Sequence, residues 1–190
     1  IGLVELGVGL IPGGGGTKEM VLRASDAFYD GDIELPRIKE YFLNIGQAKV
    51  STSGQEAFEL GYLRKGYDSI SINSDKLIQD AKEKVMIIDN QGYTKPIKRK
   101  DIKVLGNQAL GMFLVGADSF KEGGYITDHE KLMSKKLAHV LCGGNLSSPT
   151  HVSEQYLLDL EREAFLSLCG EAKTLERIKY MLEKGKPLRN

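Results

Sequence analysis

The stretch Glu5-Leu6-Gly7-Val8-Gly9-Leu10-Ile11-Pro12-Gly13-Gly14-Gly15-Gly16-Thr17 decides how the chain is read. Residues 1–10 are apolar and broken by glycine, so they read as a buried strand or a strand-like turn. The glycine run then ends in Thr17, after which Met20, Val21, Ala24 and Phe28 fall at helical spacing. Thr17 is the expected N-cap of that helix. A glycine-rich loop opening a helix is also where free N–H groups and the helix dipole favour an anion. Both phosphate spacings fail, however. No Gly-Lys pair stands where G-x-x-x-x-G-K-[ST] needs one, and Pro12 stands where G-x-G-x-x-G from Gly7 and Gly9 needs glycine. The glycines instead suit tight turns and close approach of another chain or a ligand.

Working outward, Asp30-Gly31-Asp32 closes the first helix, and a second runs from Leu35 to about Leu43 with Pro36 in its first turn. Ser53 and Glu56 form a capping box before Ala57, Phe58 and Leu60. Ser69-Ile70-Ser71-Ile72 reads as a short β-type stretch. Ser74 then caps a helix whose apolar face is Leu77, Ile78, Ala81, Val85 and Ile88. Residues 89–107 are polar, basic and punctuated by Pro and Gly, the pattern of a linker. Four helices follow. They cover 108–120, a segment opened by a Thr127/Glu130 capping box and stopped at Gly143-Gly144, a segment capped by Ser153, and a last one carrying Leu175, Ile178 and Leu182. The chain is expected to be mostly α, divided into residues 1–92 and 93–190.

The 190 residues carry 26 basic and 26 acidic side chains, a balance that leaves no basic excess for nucleic acid or an anionic membrane. No apolar run approaches the roughly 18 residues of a membrane span, and no targeting segment is recognisable. Cys142 and Cys169 stand far apart outside any metal-ligand spacing, so buried reduced thiols in a cytoplasmic protein are expected, with no metal site. A natural chain rarely opens in a buried strand, so Ile1 is expected to be a cut within a longer protein.

Glu5 through Thr17 resembles the crotonase (enoyl-CoA hydratase/isomerase) signature P-E-x-x-x-G-x-x-P-G-x-G-G-T, with Val4 in place of the first Pro. Lys49-Val50-Ser51 through Glu56-Ala57 and Leu60-Gly61-Tyr62-Leu63 is similar to a second crotonase segment. Glu163-Ala164-Phe165 and Met181 to Pro187 are similar to the family's terminal helices. Within the family, residues 152–171 and 184–190 most resemble bacterial multifunctional enzymes that join an N-terminal 3-hydroxyacyl-CoA dehydrogenase part to a C-terminal hydratase part. The implied fold is the C-terminal half of an α/β crotonase (ββα spiral) in residues 1–92. A helical C-terminal packing or oligomerisation region follows in 93–190. Residues 30–46 and about 93–150 look like additions to a simple hydratase.

That resemblance implies fatty-acid β-oxidation, in which trans-2-enoyl-CoA is hydrated and the product is oxidised with NAD. Enoyl-CoA isomerisation and a non-catalytic assembly or docking role are the alternatives. Hydration needs an oxyanion site for the thioester oxygen and an acidic side chain beside the water. The resemblance places one such catalytic carboxylate at Glu5, a loop glycine near substrate at Gly13, and a CoA-phosphate contact at Lys184. The second acid and the main oxyanion donors belong to a preceding segment. This chain is expected to bind no cofactor of its own, taking a CoA thioester as substrate while NAD serves the dehydrogenase part. Expected partners are the rest of the same polypeptide, further copies in a homo-oligomer, and a thiolase. His129, His139 and His151 read as structural, and Lys95, Lys98, Arg99, Lys100 and Lys103 as a solvated linker or a dock for the dehydrogenase part or CoA phosphates.

Overall fold

Residues 1–10 do not form a strand. Glu5–Val8 is a single 3₁₀ turn that ends at Gly9 in the left-handed region (φ +89°), and the one extended contact is an isolated bridge between Gly2 and Val50. With glycine at 2, 7 and 9 and no neighbouring strand to pair with, the backbone satisfies itself locally. Gly7, Gly9 and Leu10 donate to the carbonyls of Val4, Leu6 and Glu5.

The computed structural model describes all 190 residues and is mostly helical, with eight α-helices and one two-stranded sheet. It divides into two compact units, one formed by Ile1–Val50 with Arg99–Asn190, the other by Ser51–Lys98.

In the first unit, α1 (Gly16–Asp26) and α2 (Leu35–Gly46) precede a strand, β1 (Ile102–Val104), and α5 (Gly106–Glu122). Then come α6 (Asp128–Leu141), β2 (Thr150–Val152), α7 (Glu154–Cys169) and α8 (Ala172–Lys184). Helix α6 is the hub, packed on by α1, α2, α5 and α7. Its Met133, Leu137, Val140 and Leu141 are buried among Met20 and Val21 of α1, Ile38 and Ile45 of α2, and Leu157 and Leu168 of α7. The expected Thr127/Glu130 capping box is present. Thr127 Oγ1 accepts from the Glu130 N–H at 3.2 Å, and Glu130 Oε2 accepts from the Thr127 N–H at 2.7 Å. Gly143 and Gly144, both at positive φ, end α6, and Ser153 caps α7.

The expected linker 89–107 is not all connector. Ile102–Val104 pairs antiparallel with Thr150–Val152, Ile102 opposite Val152, and buries Ile102 and Val104. The period-2 pattern is only three residues long, too short to stand out beside the basic residues before it.

In the second unit, α3 (Gly54–Glu59) is capped by Ser53 Oγ, which accepts from the Glu56 N–H at 3.0 Å. Glu56 Oε2 in turn accepts from the N–H of Thr52, 2.6 Å away, one residue before the expected position. Residues 69–72 form no strand, and Ile70 packs over Gly54, where an added Cβ would stand 2.7 Å from Ile70 Cδ1. Ser74 is not a cap: Asn73 accepts from the Asp75 N–H before the 3₁₀ turn Ser74–Lys76, and α4 (Leu77–Asn90) follows. The apolar face of α4 is exposed, Ile78 to 85% and Val85 to 64%.

Candidate functional site

Glu5 opens the 3₁₀ turn and is half-buried, and its Oε2 is buried without a hydrogen-bond partner. Buried polar atoms are almost always paired, so an orphaned carboxylate oxygen in a native fold calls for a specific cause. The turn is held from its far end. Thr174, in the first turn of α8, donates its hydroxyl to the Gly9 carbonyl at 2.8 Å and lies 3.0 Å from His129 Nε2 in the first turn of α6. Thr174 and His129 are both buried, and burial pushes the His129 imidazole below its usual range, reinforced by the charge of Arg177. A cleft of about 330 Å³ beside the turn is lined by Leu6, Gly7, Met133, Arg177, Pro187 and Arg189 among others. Glu130 accepts from Arg189 across 2.9 Å on its rim, while buried Arg177 donates to Asn190.

The glycine loop works differently from the expectation. Thr17 is not the N-cap of α1; Gly15 holds that position at φ +92°, where threonine is strained, and Thr17 is buried within the first turn with its Oγ1 unpaired. The capping oxygens come from Glu161, in the middle of α7 and 1% exposed. Its carboxylate accepts from the Gly15 N–H at 2.5 Å and the Lys18 N–H at 2.9 Å. The anion position that a helix start offers is therefore filled by the chain's own carboxylate.

Gly13 is exposed on its loop, with the Phe165 ring of α7 closing the side where a Cβ would stand, at 2.5 Å. Lys184 is exposed in the last turn of α8, ten residues beyond Thr174, or about 15 Å along the helix. Arg99 and Lys103 are tied by ion pairs, Arg99 to Asp26 and Asp101 and Lys103 to Glu34, and Asp101 and Asp26 hold the Arg99 guanidinium above its usual range. A second, more apolar cleft of about 380 Å³ lies among Phe42 of α2, Met112, Phe113 and Phe120 of α5, and Ile126. Both cysteines are free, and burial pushes the Cys142 thiol up to about 12. No group of three or more His, Cys, Asp or Glu is arranged to hold a metal ion, and no helix is long and apolar enough to cross a membrane.

Glu161, Thr174 and His129 were not singled out by the sequence as site-forming. Each lies more than a hundred residues from the loop it supports. Their one visible sign is polarity at core-facing helical positions.

The chain is 46% identical over all 190 residues to a Bacillus subtilis protein named 3-hydroxyacyl-CoA dehydrogenase. It is 28% identical over 182 residues to a Rickettsia felis protein named fatty acid oxidation complex trifunctional enzyme. It spans less than a quarter of the length of either relative, 23% and 22%. No family model matches the chain, and no solved structure matches it.

Proposed function

We propose that the chain is part of a fatty-acid β-oxidation enzyme, a 3-hydroxyacyl-CoA dehydrogenase with an enoyl-CoA hydratase part, in which Glu5 handles a proton during hydration of trans-2-enoyl-CoA. The observation that carries this reading is the orphaned, buried Oε2 of Glu5 on a turn fixed by Thr174. The names of the two relatives agree with it at the level of the pathway.

Hydration joins the water oxygen to C3 of the enoyl group and delivers a proton to C2. A carboxylate beside the water takes its proton, or a carboxylic acid supplies one to C2. Glu5, with an oxygen free of protein partners, suits either step. In this reading its acidic partner and the oxyanion donors come from a segment preceding Ile1, Gly13 lies along the bound thioester, and Lys184 contacts the CoA phosphates. Residues 1–92 are the end of the crotonase spiral and 93–190 the helical region that packs on it or on other subunits. NAD serves the dehydrogenase part, and a thiolase would consume the oxidised product.

Hydration of trans-2-enoyl-CoA by the full-length protein, followed as loss of the conjugated thioester absorbance, tests this. Glu5→Gln is expected to lower turnover at least 100-fold, the scale of a lost acid–base group. Unchanged hydration in that variant would overturn the reading. A 3-enoyl product in place of a 3-hydroxyacyl product would favour the isomerase alternative.

A second reading, that Ser51–Lys98 serves assembly, is favoured by one observation. The apolar face of α4 and the neighbouring Ile72 and Ile97 stand exposed in a single segment.

A further inference from the structure

We infer that Thr174 and His129 form a two-residue relay that positions the Glu5 turn, resting on the reading of Glu5 as the acid–base carboxylate. The turn has two ends. Glu5 is its first residue and Gly9 its terminating one, and they are coupled because the Leu10 N–H returns to the Glu5 carbonyl at 3.0 Å and the Gly9 N–H to Leu6 at 3.2 Å. Displacing Gly9 therefore displaces Glu5.

Gly9 is held in two ways at once. Its carbonyl accepts the Thr174 hydroxyl at 2.8 Å, and its missing side chain lets Thr174 sit where a Cβ would lie 2.9 Å from Thr174 Cα. A hydroxyl carries one proton, and this one goes to Gly9. Thr174 Oγ1 can then only accept from His129, so Nε2 of His129 bears the ring proton and Nδ1 of the neutral imidazole is the acceptor. The chain of donation runs in one direction, from His129 through Thr174 to Gly9, and all three residues are buried. His129 and Thr174 each sit in the first turn of a helix, α6 and α8, so the relay anchors the Glu5 turn to the two helix starts. Both are positioning residues, since their hydrogen bonds run to each other and to the Gly9 carbonyl rather than to the Glu5 carboxylate.

The test uses the full-length protein with trans-2-butenoyl-CoA, and Glu5→Gln in parallel. Thr174→Val keeps the shape and removes the O–H. It is expected to lower kcat roughly 10- to 100-fold, as displaced catalytic groups do, with KM changed little. Thr174→Ser, which restores the hydroxyl, is expected to recover most of the loss. Wild-type kcat in Thr174→Val beside an inactive Glu5→Gln would overturn the relay and leave the role of Glu5 standing. Full activity in Glu5→Gln would overturn both. Independently of turnover and of how Thr174→Val folds, nitrogen-15 NMR of the unsubstituted protein should show His129 as the Nε2–H tautomer; the Nδ1–H tautomer would overturn the relay.

Discussion

The Glu161 carboxylate accepts the backbone N–H of Gly15 at 2.5 Å, joining the middle of α7 to the start of α1 across 146 residues of sequence. With the Lys18 N–H at 2.9 Å, it satisfies two donors that the first turn of a helix leaves without intrahelical partners. A buried carboxylate is costly to desolvate, and these two charge-assisted bonds with the positive end of the helix dipole offset that cost. Glu161→Ala leaves both N–H groups unpaired in a closed site. Urea unfolding should show it destabilised by about 2–4 kcal/mol. Glu161→Gln, which retains one acceptor oxygen, should lose less.

Gly9 and Gly7 lie two residues apart and make opposite demands. At Gly9 the backbone is left-handed and a Cβ would meet the Thr174 backbone at 2.9 Å, whereas at Gly7 nothing lies within 4 Å of that position. Left-handed backbone costs a non-glycine residue about 1–2 kcal/mol, and the collision with α8 adds to it. Gly9→Ala is therefore expected to cost at least about 2 kcal/mol in denaturant unfolding, and Gly7→Ala less than about 1. Equal effects at the two positions would contradict the packing of the turn on α8.

The same contrast explains what was legible in the sequence. Helix starts marked by a local cap were readable at Thr127 and Ser153, because donor and acceptor lie three residues apart and the pattern is written side by side. At Thr17 the same logic pointed to the wrong residue, since the cap comes from Glu161 in another helix. Residues 1–10 read as a buried strand or a strand-like turn, and it is a turn that forms at Glu5–Val8, because a strand persists only where a neighbour supplies hydrogen bonds. Glu5 could be singled out from its motif. The residues that hold its turn could not, because Thr174 and His129 meet Gly9 only through tertiary packing.

Acid should weaken the fold in two stages. His129 and His139 are both held below the ordinary imidazole value of 6.5, by burial first and at His129 also by Arg177. The unfolded chain then binds more protons between the folded and unfolded values, so stability is full above about pH 6.5 and falls as pH drops below it. Glu154 is held below the ordinary 4.5 by the Arg99 N–H and Lys18. At Glu130 burial acts upward but is outweighed by Arg189, the Thr127 N–H and the charge of Arg177. Their contribution is present above about pH 4.5 and is lost as pH falls through their lowered values. Melting temperature measured downward from pH 8 should decline in these two windows, and replacing both histidines with glutamine should flatten the upper one.

The exposed face of α4 carries the last prediction. Ile78, Val85 and Ile88 recur near helical period with Leu77 on the same side, and they stand 85%, 64%, 38% and 57% exposed. Asp80, Lys82, Glu83 and Lys84 stand among them, and Met86 and Ile87 are exposed as well, so the helix carries its apolar residues in solvent. Burying such a stripe gives about 25 cal/mol per Å² of apolar area, enough to drive association at micromolar concentration if most of it is covered. The 190-residue chain should therefore sediment as a concentration-dependent oligomer. Ile78→Lys with Val85→Glu should shift it to monomer while leaving its helical circular dichroism unchanged, because neither side chain contributes to a buried core. A chain that sediments as a monomer at every concentration would show that this face is not used between copies.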